Sequence, residues 1–309
     1  AKQMEKRSLL SVRDICDAVR GKPAFSINLD EGPVSVVIDS RKAQPGSLFI
    51  PLAGERTDGH YHMGQAVRNG ARFLFCSHRM WAEGGIRALA PEGSASVILV
   101  EDTLVALQTL ARRYLHRFSS LCRIGVTGSN GKTTTKEVAG AILSCAGKTI
   151  VNEGNLNSET GLPLSVFGVR EKHEYAVLEM GMNHVGEMDI LSDIVRPDCA
   201  VITNIGTAHI GLLGSKVNIA REKKKIFAFF DGAQRAFIHE DEPFFGFLAG
   251  DIKGKIVPFG PRSTKGFKGY TDLGLDGAAI HWEEFRIRYP LFGYYNLQNA
   301  LAAISLAVE

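Results

Sequence analysis

The chain has 309 residues, 45% of them hydrophobic and 22% charged, proportions of a folded globular protein that exclude a disordered acidic or basic tail. Thirty-six Lys and Arg against 33 Asp and Glu leave a formal charge of +3, too small to make nucleic acid or an anionic membrane surface the main partner. No apolar run reaches the ~18 residues of a membrane span and no secretory h-region opens the chain, so a soluble, cytoplasmic protein is expected. At roughly 150 residues per domain, the length suggests two domains.

The first part, residues 1–119, reads as a small mixed α/β domain. Short β-type runs at Val34 to Asp39, Ser47 to Leu52, Arg72 to Cys76 and Ser96 to Val100 alternate with helical patterns and Gly-rich turns. Leu104, Leu107, Leu110, Ala111 and Leu115 recur at helix spacing over Thr103 to Phe118, and Ser119-Ser120 ends that pattern at the expected boundary.

Residues 120–309 read as a second α/β domain, a mostly parallel sheet with crossover helices. Its expected strands are Arg123 to Thr127, Tyr175 to Glu179, Ala200 to Asn204 and Ala236 to His239. Helices are expected at Lys132 to Cys145, Glu187 to Ile194, Ser215 to Phe230 and Asn299 to Glu309. The last of these carries no Gly, Asn or Pro stop, which points to a chain cut short of a further domain. The five cysteines (Cys16, Cys76, Cys122, Cys145, Cys199) are odd in number and form no C-x-x-C pair. A disulfide framework and a zinc site are therefore not expected, and each reads as a small buried hydrophobe.

Between the first strand and first helix of the second domain stands Gly125-Val-Thr-Gly128-Ser129-Asn130-Gly131-Lys132-Thr133-Thr134. Glycines let such a loop curl until several N–H groups face one anion, and the helix N-terminus adds partial positive charge. Lys132 would neutralise the outer phosphates and the Thr133 hydroxyl would sit on Mg²⁺. The general pattern wants glycine where Val126 stands, so this is a variant phosphate loop, with ATP or a similar triphosphate as ligand.

Glu179 ends an apolar strand at the carboxyl edge, where open parallel sheets bind ligands, and a carboxylate there can hold Mg²⁺. His209 follows the next strand, also at that edge, with a structural role as the competing reading. The charged run Arg221 to Lys225 reads by default as a solvated helix face, in which nothing marks Lys223 from its neighbours. Asn155 and Asn157 look like turn formers first and ligand donors second.

The stretches GVTGSNGKTTTKE, NEGNLNSETGLPLSVF, LEMGMNHVGEMDIL, ITNIGTAHIGLLGS and YNLQNALAAISLA resemble, in that order, the Mur ligases of peptidoglycan synthesis. IDSRKAQPGSLFIPLAGERTDGH is similar to the uridine-nucleotide domain of two branches of that family. The asparagine-rich loop and MGMNHVGE favour the branch that joins D-alanyl-D-alanine to UDP-MurNAc-tripeptide. Sister readings are a ligase adding the third peptide residue, a folylpolyglutamate-synthase-like enzyme, which the uridine-type domain disfavours, and a non-catalytic sensor of ATP or the UDP precursor.

The resemblance implies three domains, of which the chain would hold the UDP-precursor domain and the central ATPase. It implies a monomer that uses ATP and two Mg²⁺. Gly128, Ser129, Asn130, Gly131, Lys132, Thr133, Thr134, Asn296 and Asn299 would bind ATP. Thr133, Glu179, His209 and Lys223 would hold the metal ions, Lys223 as a carbamylated lysine; Lys132, Lys223 and His209 would be the catalytic residues. Ser40 and Arg41 would meet the uridine diphosphate, and Asn155, Asn157, Ser158 and His184 the muramoyl-peptide side. Two departures stand out: Tyr295 where the family often has His, and Lys225 where an acidic residue is common.

Overall fold

The computed structural model describes residues 8–54, 57–208 and 210–309. The chain divides into two compact units, Ala1–Arg117 and Phe118–Glu309.

In the first unit a five-stranded sheet has the order β1-β5-β4-β3-β2. Its strands are β1 Lys22–Pro23, β2 Ser35–Val37, β3 Ser47–Phe49, β4 Phe73–Ser77 and β5 Ser96–Val100. β2 to β5 pair in parallel and only β1 runs against its neighbour. Phe49, Met63, Leu74, Trp81 and Val97 fill one core around it. The Thr103–Leu115 helix starts where the Asp102 carboxylate accepts from the N–H groups of Leu104 and Val105, the ordinary N-cap arrangement.

The second unit is built on a six-stranded, wholly parallel sheet. Its strands are β6 Cys122–Thr127, β7 Thr149–Val151, β8 Tyr175–Glu179, β9 Cys199–Ile202, β10 Arg235–His239 and β11 Lys255–Phe259, in the order β11-β10-β9-β6-β8-β7. The chain builds to one side of β6 and then to the other, so the carboxyl ends of β6, β8 and β9 flank a topological switch point. Helices Lys132–Leu143 and Tyr294–Val308 cover one face, where Ala139, Leu143, Ala302, Ala303 and Leu306 pack on Ile124, Val126, Val177, Val201 and Phe237. Small residues on the second helix let it lie close against the first.

Several expectations need correction. The helix begun at Ser215 stops as an α-helix at Lys224 and tightens into a 3₁₀ turn over Lys225–Phe227. The final helix starts at Tyr294, earlier than its apolar periodicity suggests. An antiparallel sheet of β12 Phe267–Asp272, β13 Ala278–Trp282 and β14 Phe285–Tyr289 was not expected at all. Cys76 and Cys199 are buried, but Cys16 and Cys122 are only half-buried, and Cys145, just past the end of the Lys132–Leu143 helix, is exposed rather than packed in a core. No described helix is long and apolar enough to cross a membrane.

Candidate functional site

The loop between β6 and the Lys132–Leu143 helix is held from both sides. Gly128 has φ +151°, and a Cβ there would stand 1.8 Å from Thr203 Oγ1. At Gly131, φ is +78° and a Cβ would stand 2.2 Å from Asn299 Oδ1. Both positions combine a backbone that disfavours side chains with a neighbour that excludes one.

The segment after β9 fastens the loop. Ser129 N–H donates to Asn204 O (2.9 Å), Asn130 N–H to Asn204 Oδ1 (3.1 Å), and Asn204 Nδ2 donates back to Asn130 O (3.0 Å). The Thr203 hydroxyl donates to the same Asn130 carbonyl at 2.5 Å, and Gly206 N–H to Ser129 Oγ at 2.8 Å. Thr203 and Asn204 carry no motif that marks them as site residues; the signal for them is their place just past the carboxyl end of β9, where open parallel sheets bind ligands.

Beside this loop lies a cavity of about 550 Å³ lined by Asn130, Gly131, Thr134, Asn204, Tyr295 and Asn299, among others. Asn296 lines it as well, its Nδ2 donating to Phe292 O at 2.9 Å. Residues distant in sequence, from the phosphate loop, the β9 end and the last helix, thus meet on one hollow. Tyr295 stands at its edge, 81% exposed.

Lys132 Nζ folds back onto Gly128 O at 3.0 Å, and burial lowers its pKa. Thr133 Oγ1 donates to Glu179 Oε2 (2.8 Å), and Asn157 Nδ2 to Glu179 Oε1 (2.7 Å). Glu179 is buried at the end of β8.

The charged run after Ser215 is not a solvated face, since Glu222 and Lys223 are both buried. Burial, and then the positive charge of Lys132, push Lys223 down to about 7, with Glu222 opposing them. Glu222 accepts from Gly186 N–H (2.8 Å) and Met188 N–H (3.3 Å) and pairs with Lys225 at 2.7 Å. Lys225 also reaches Asp189 at 2.6 Å, so a basic residue at this position is matched by two carboxylates.

The remaining expected residues are more dispersed. Asn155 is exposed, and Ser158 Oγ accepts from Gly161 N–H at 3.2 Å where the Gly161–Val166 helix begins. His184 is 66% exposed and pairs with Glu187 at 2.9 Å. His209 lies outside the described residues.

Ser40 and Arg41 belong to the first unit. The Ser40 hydroxyl donates to Gln65 Oε1 (2.7 Å), while Arg41 is 78% exposed on its side chain and hydrogen-bonds Asp39 (2.8 Å). That bond holds the Asp39 carboxyl down at about 2.

The donor set suits Mg²⁺. Glu179 and Thr133 offer hard oxygens, and no group of three or more His, Cys, Asp or Glu among the described residues would hold a metal unaided. Mg²⁺ commonly takes one or two carboxylates and completes its shell from substrate phosphates and water. Lys223 as an ammonium does not fit such a shell.

The profile of the Mur ligase middle domain matches residues 126–307, and that of the Mur ligase family, catalytic domain, matches residues 34–115. A UDP-N-acetylmuramoyl-tripeptide–D-alanyl-D-alanine ligase of Treponema pallidum is 41% identical over 97% of this chain. The chain spans 65% of that relative's length. MurF from Acinetobacter baumannii superposes with a TM-score of 0.86 at 32% identity, covering 96% of this chain and 64% of that one. MurF from Thermotoga maritima, solved in complex with ADP, gives 0.72 at 30% identity over 89% of this chain and 62% of that one. Sequence, fold and the geometry of the phosphate loop agree: the chain belongs to the Mur ligase family.

Proposed function

We propose that this chain works in ATP-driven amide formation, adding D-alanyl-D-alanine to UDP-MurNAc-tripeptide in the cytoplasm. In this reading residues 1–119 bind the UDP precursor and residues 120–309 bind ATP. The observation that carries it is the juxtaposition of a phosphate loop with Glu179 through the 2.8 Å bond from Thr133.

The precursor carboxylate attacks the γ-phosphate of ATP in line, the bridging P–O bond to the β-phosphate breaks and ADP leaves. The incoming amine then attacks the acyl phosphate, losing a proton as inorganic phosphate departs. Two anions must meet, so positioning and neutralisation of charge carry the catalysis. The loop N–H groups and Lys132 hold the phosphates, while Asn296 and Asn299 line the hollow assigned to the rest of the nucleotide. Glu179, Thr133 and His209 would hold magnesium, which when bound neutralises phosphate charge as a Lewis acid. Lys223, with its pKa drawn down to about 7, has a substantial neutral fraction near neutrality. A neutral amine is the form that takes up CO₂, and carbamylation would turn Lys223 into an anionic ligand. Arg41, exposed and steadied by Asp39, is assigned to the diphosphate of the precursor.

Calorimetric titration of the chain with ATP, UDP-MurNAc-tripeptide and UDP-MurNAc-dipeptide tests this reading. ATP binding that Lys132→Ala abolishes, with preference for the tripeptide, is the expected result. Preference for the dipeptide would move the assignment to the ligase that adds the third residue.

A further inference from the structure

β7 leaves the sheet early. Its last residue, Val151, pairs with Val177, so Glu179 lies beyond the last backbone pair on that side. Buried peptide groups without partners are costly, and here a side chain takes the place of the strand. Asn152 Oδ1 accepts from Glu179 N–H at 2.8 Å, and its Nδ2 donates to Glu179 O at 3.1 Å. The second Nδ2 hydrogen goes to Leu156 O at 2.7 Å, pinning the loop that delivers Asn157 to the Glu179 carboxylate. Asn152 is 2% exposed, and both its hydrogens and its oxygen are engaged.

The backbone of Asn152 is held in turn. Lys136, 0% exposed, donates from Nζ to Asn152 O at 2.6 Å and pairs with Glu137 at 2.9 Å. Lys136 is three residues beyond Thr133, so both project from one face of the phosphate-loop helix. One grips the Glu179 carboxylate and the other the residue that fixes the Glu179 backbone. Burying a lysine in this way is expensive unless its partners are well placed.

We propose that Asn152, braced by Lys136, is the positioning residue that sets the Glu179 carboxylate for its divalent cation. This rests on the reading of Glu179 as a magnesium ligand. The polar contacts of both residues are to protein groups, Asn152 to Glu179 and Leu156, and Lys136 to Asn152 and Glu137. Both would therefore act through Glu179 by fixing where its carboxylate can point. Outer partners of metal ligands change metal affinity about 10–100-fold when removed.

The test is calorimetric titration of the chain with ATP, once with Mg²⁺ and once in EDTA, for wild type, Asn152→Ala, Lys136→Met and Glu179→Ala. Wild type should bind more tightly with Mg²⁺. Asn152→Ala should lose about 10-fold or more of that metal-dependent gain, approaching Glu179→Ala, while affinity in EDTA stays within about threefold. Equal losses in both buffers would mean a purely structural role, and an unchanged gain would mean no role; either overturns the proposal. If Asn152→Ala does not fold, Lys136→Met decides, because it keeps the amide and fills the lysine's space with an apolar chain. A wild-type chain that binds ATP equally in both buffers overturns the metal reading of Glu179, and this proposal with it.

Discussion

At position 131 a left-handed backbone and the nearby Asn299 Oδ1 leave room only for glycine. Gly131→Ala must strain φ or push Asn299 away from the loop, a cost of about 1–3 kcal/mol. ATP affinity should fall at least about tenfold, since each 1.4 kcal/mol transmitted to the bound state is a factor of ten. Calorimetry alongside a thermal melt separates that loss from unfolding, and an unaltered ATP affinity would refute the account. Lys223 makes a second residue-scale case, through proton linkage. Its folded value is drawn from 10.5 down to about 7, so between those values the unfolded chain holds a proton the folded chain lacks. Stability on this account rises with pH from about 7 to about 10.5, and the cost of burying the charge is fully present below 7. In metal-free, CO₂-free buffer Lys223→Met should therefore be more stable than wild type at pH 6, by a few kcal/mol, with the gap closing toward pH 10. Urea unfolding at a series of pH values measures it; a gap independent of pH would contradict the assignment.

Lys223 also marks where the sequence was hard to read at the level of elements. The phosphate loop was legible because its glycines, lysine and threonines are contiguous and flanked by a plain strand and a plain helix. Glu179 was legible as the polar end of the apolar run Tyr175–Glu179. The burial of Glu222 and Lys223 was not, because five adjacent charges look alike until a partner element is known. That partner is the Glu187–Val195 helix, whose N-cap position, Gly186, offers no side chain to its first N–H groups. Glu222 supplies the missing acceptor across 36 residues of chain. The β12–β14 sheet escaped for a similar reason: four of the five residues of β14 are exposed, and the alternation that marks a half-buried strand is absent. Removing the borrowed cap tests this view of the element. Glu222→Ala leaves the N–H groups of Gly186 and Met188 unpaired and strips Lys225 of one of its two carboxylates. The expected loss is about 2–4 kcal/mol, with amide exchange accelerated first over residues 186–195. Uniform acceleration across the parallel sheet instead would show that Glu222 supports the core and not this helix.

Across the whole molecule, the groups assigned to ATP and to the uridine diphosphate are drawn from different units, while those assigned to the muramoyl-peptide side share the unit of the ATP groups. All described partners of the phosphate loop, of Glu179 and of Lys223 lie between Phe118 and Glu309. That unit has a core of its own, in which six parallel strands carry two helices on one face, and the first unit has a separate core around Phe49, Leu74 and Trp81. A sheet with its own covering helices can fold as an independent body, and residues 118–309 exceed the size at which single cores become self-sufficient. The polypeptide 118–309 should therefore fold cooperatively and bind ATP within about threefold of the intact chain, and at 100 times its Kd the nucleotide should stabilise it by about 2.7 kcal/mol. The polypeptide 1–117 should show no ATP-dependent change in melting. Differential scanning calorimetry of both pieces and of the intact chain, with and without ATP, measures all three. If 118–309 folds but does not bind, the nucleotide site needs groups from the first unit, and the division of labour drawn from the hydrogen bonds around Thr133 and Asn204 is wrong.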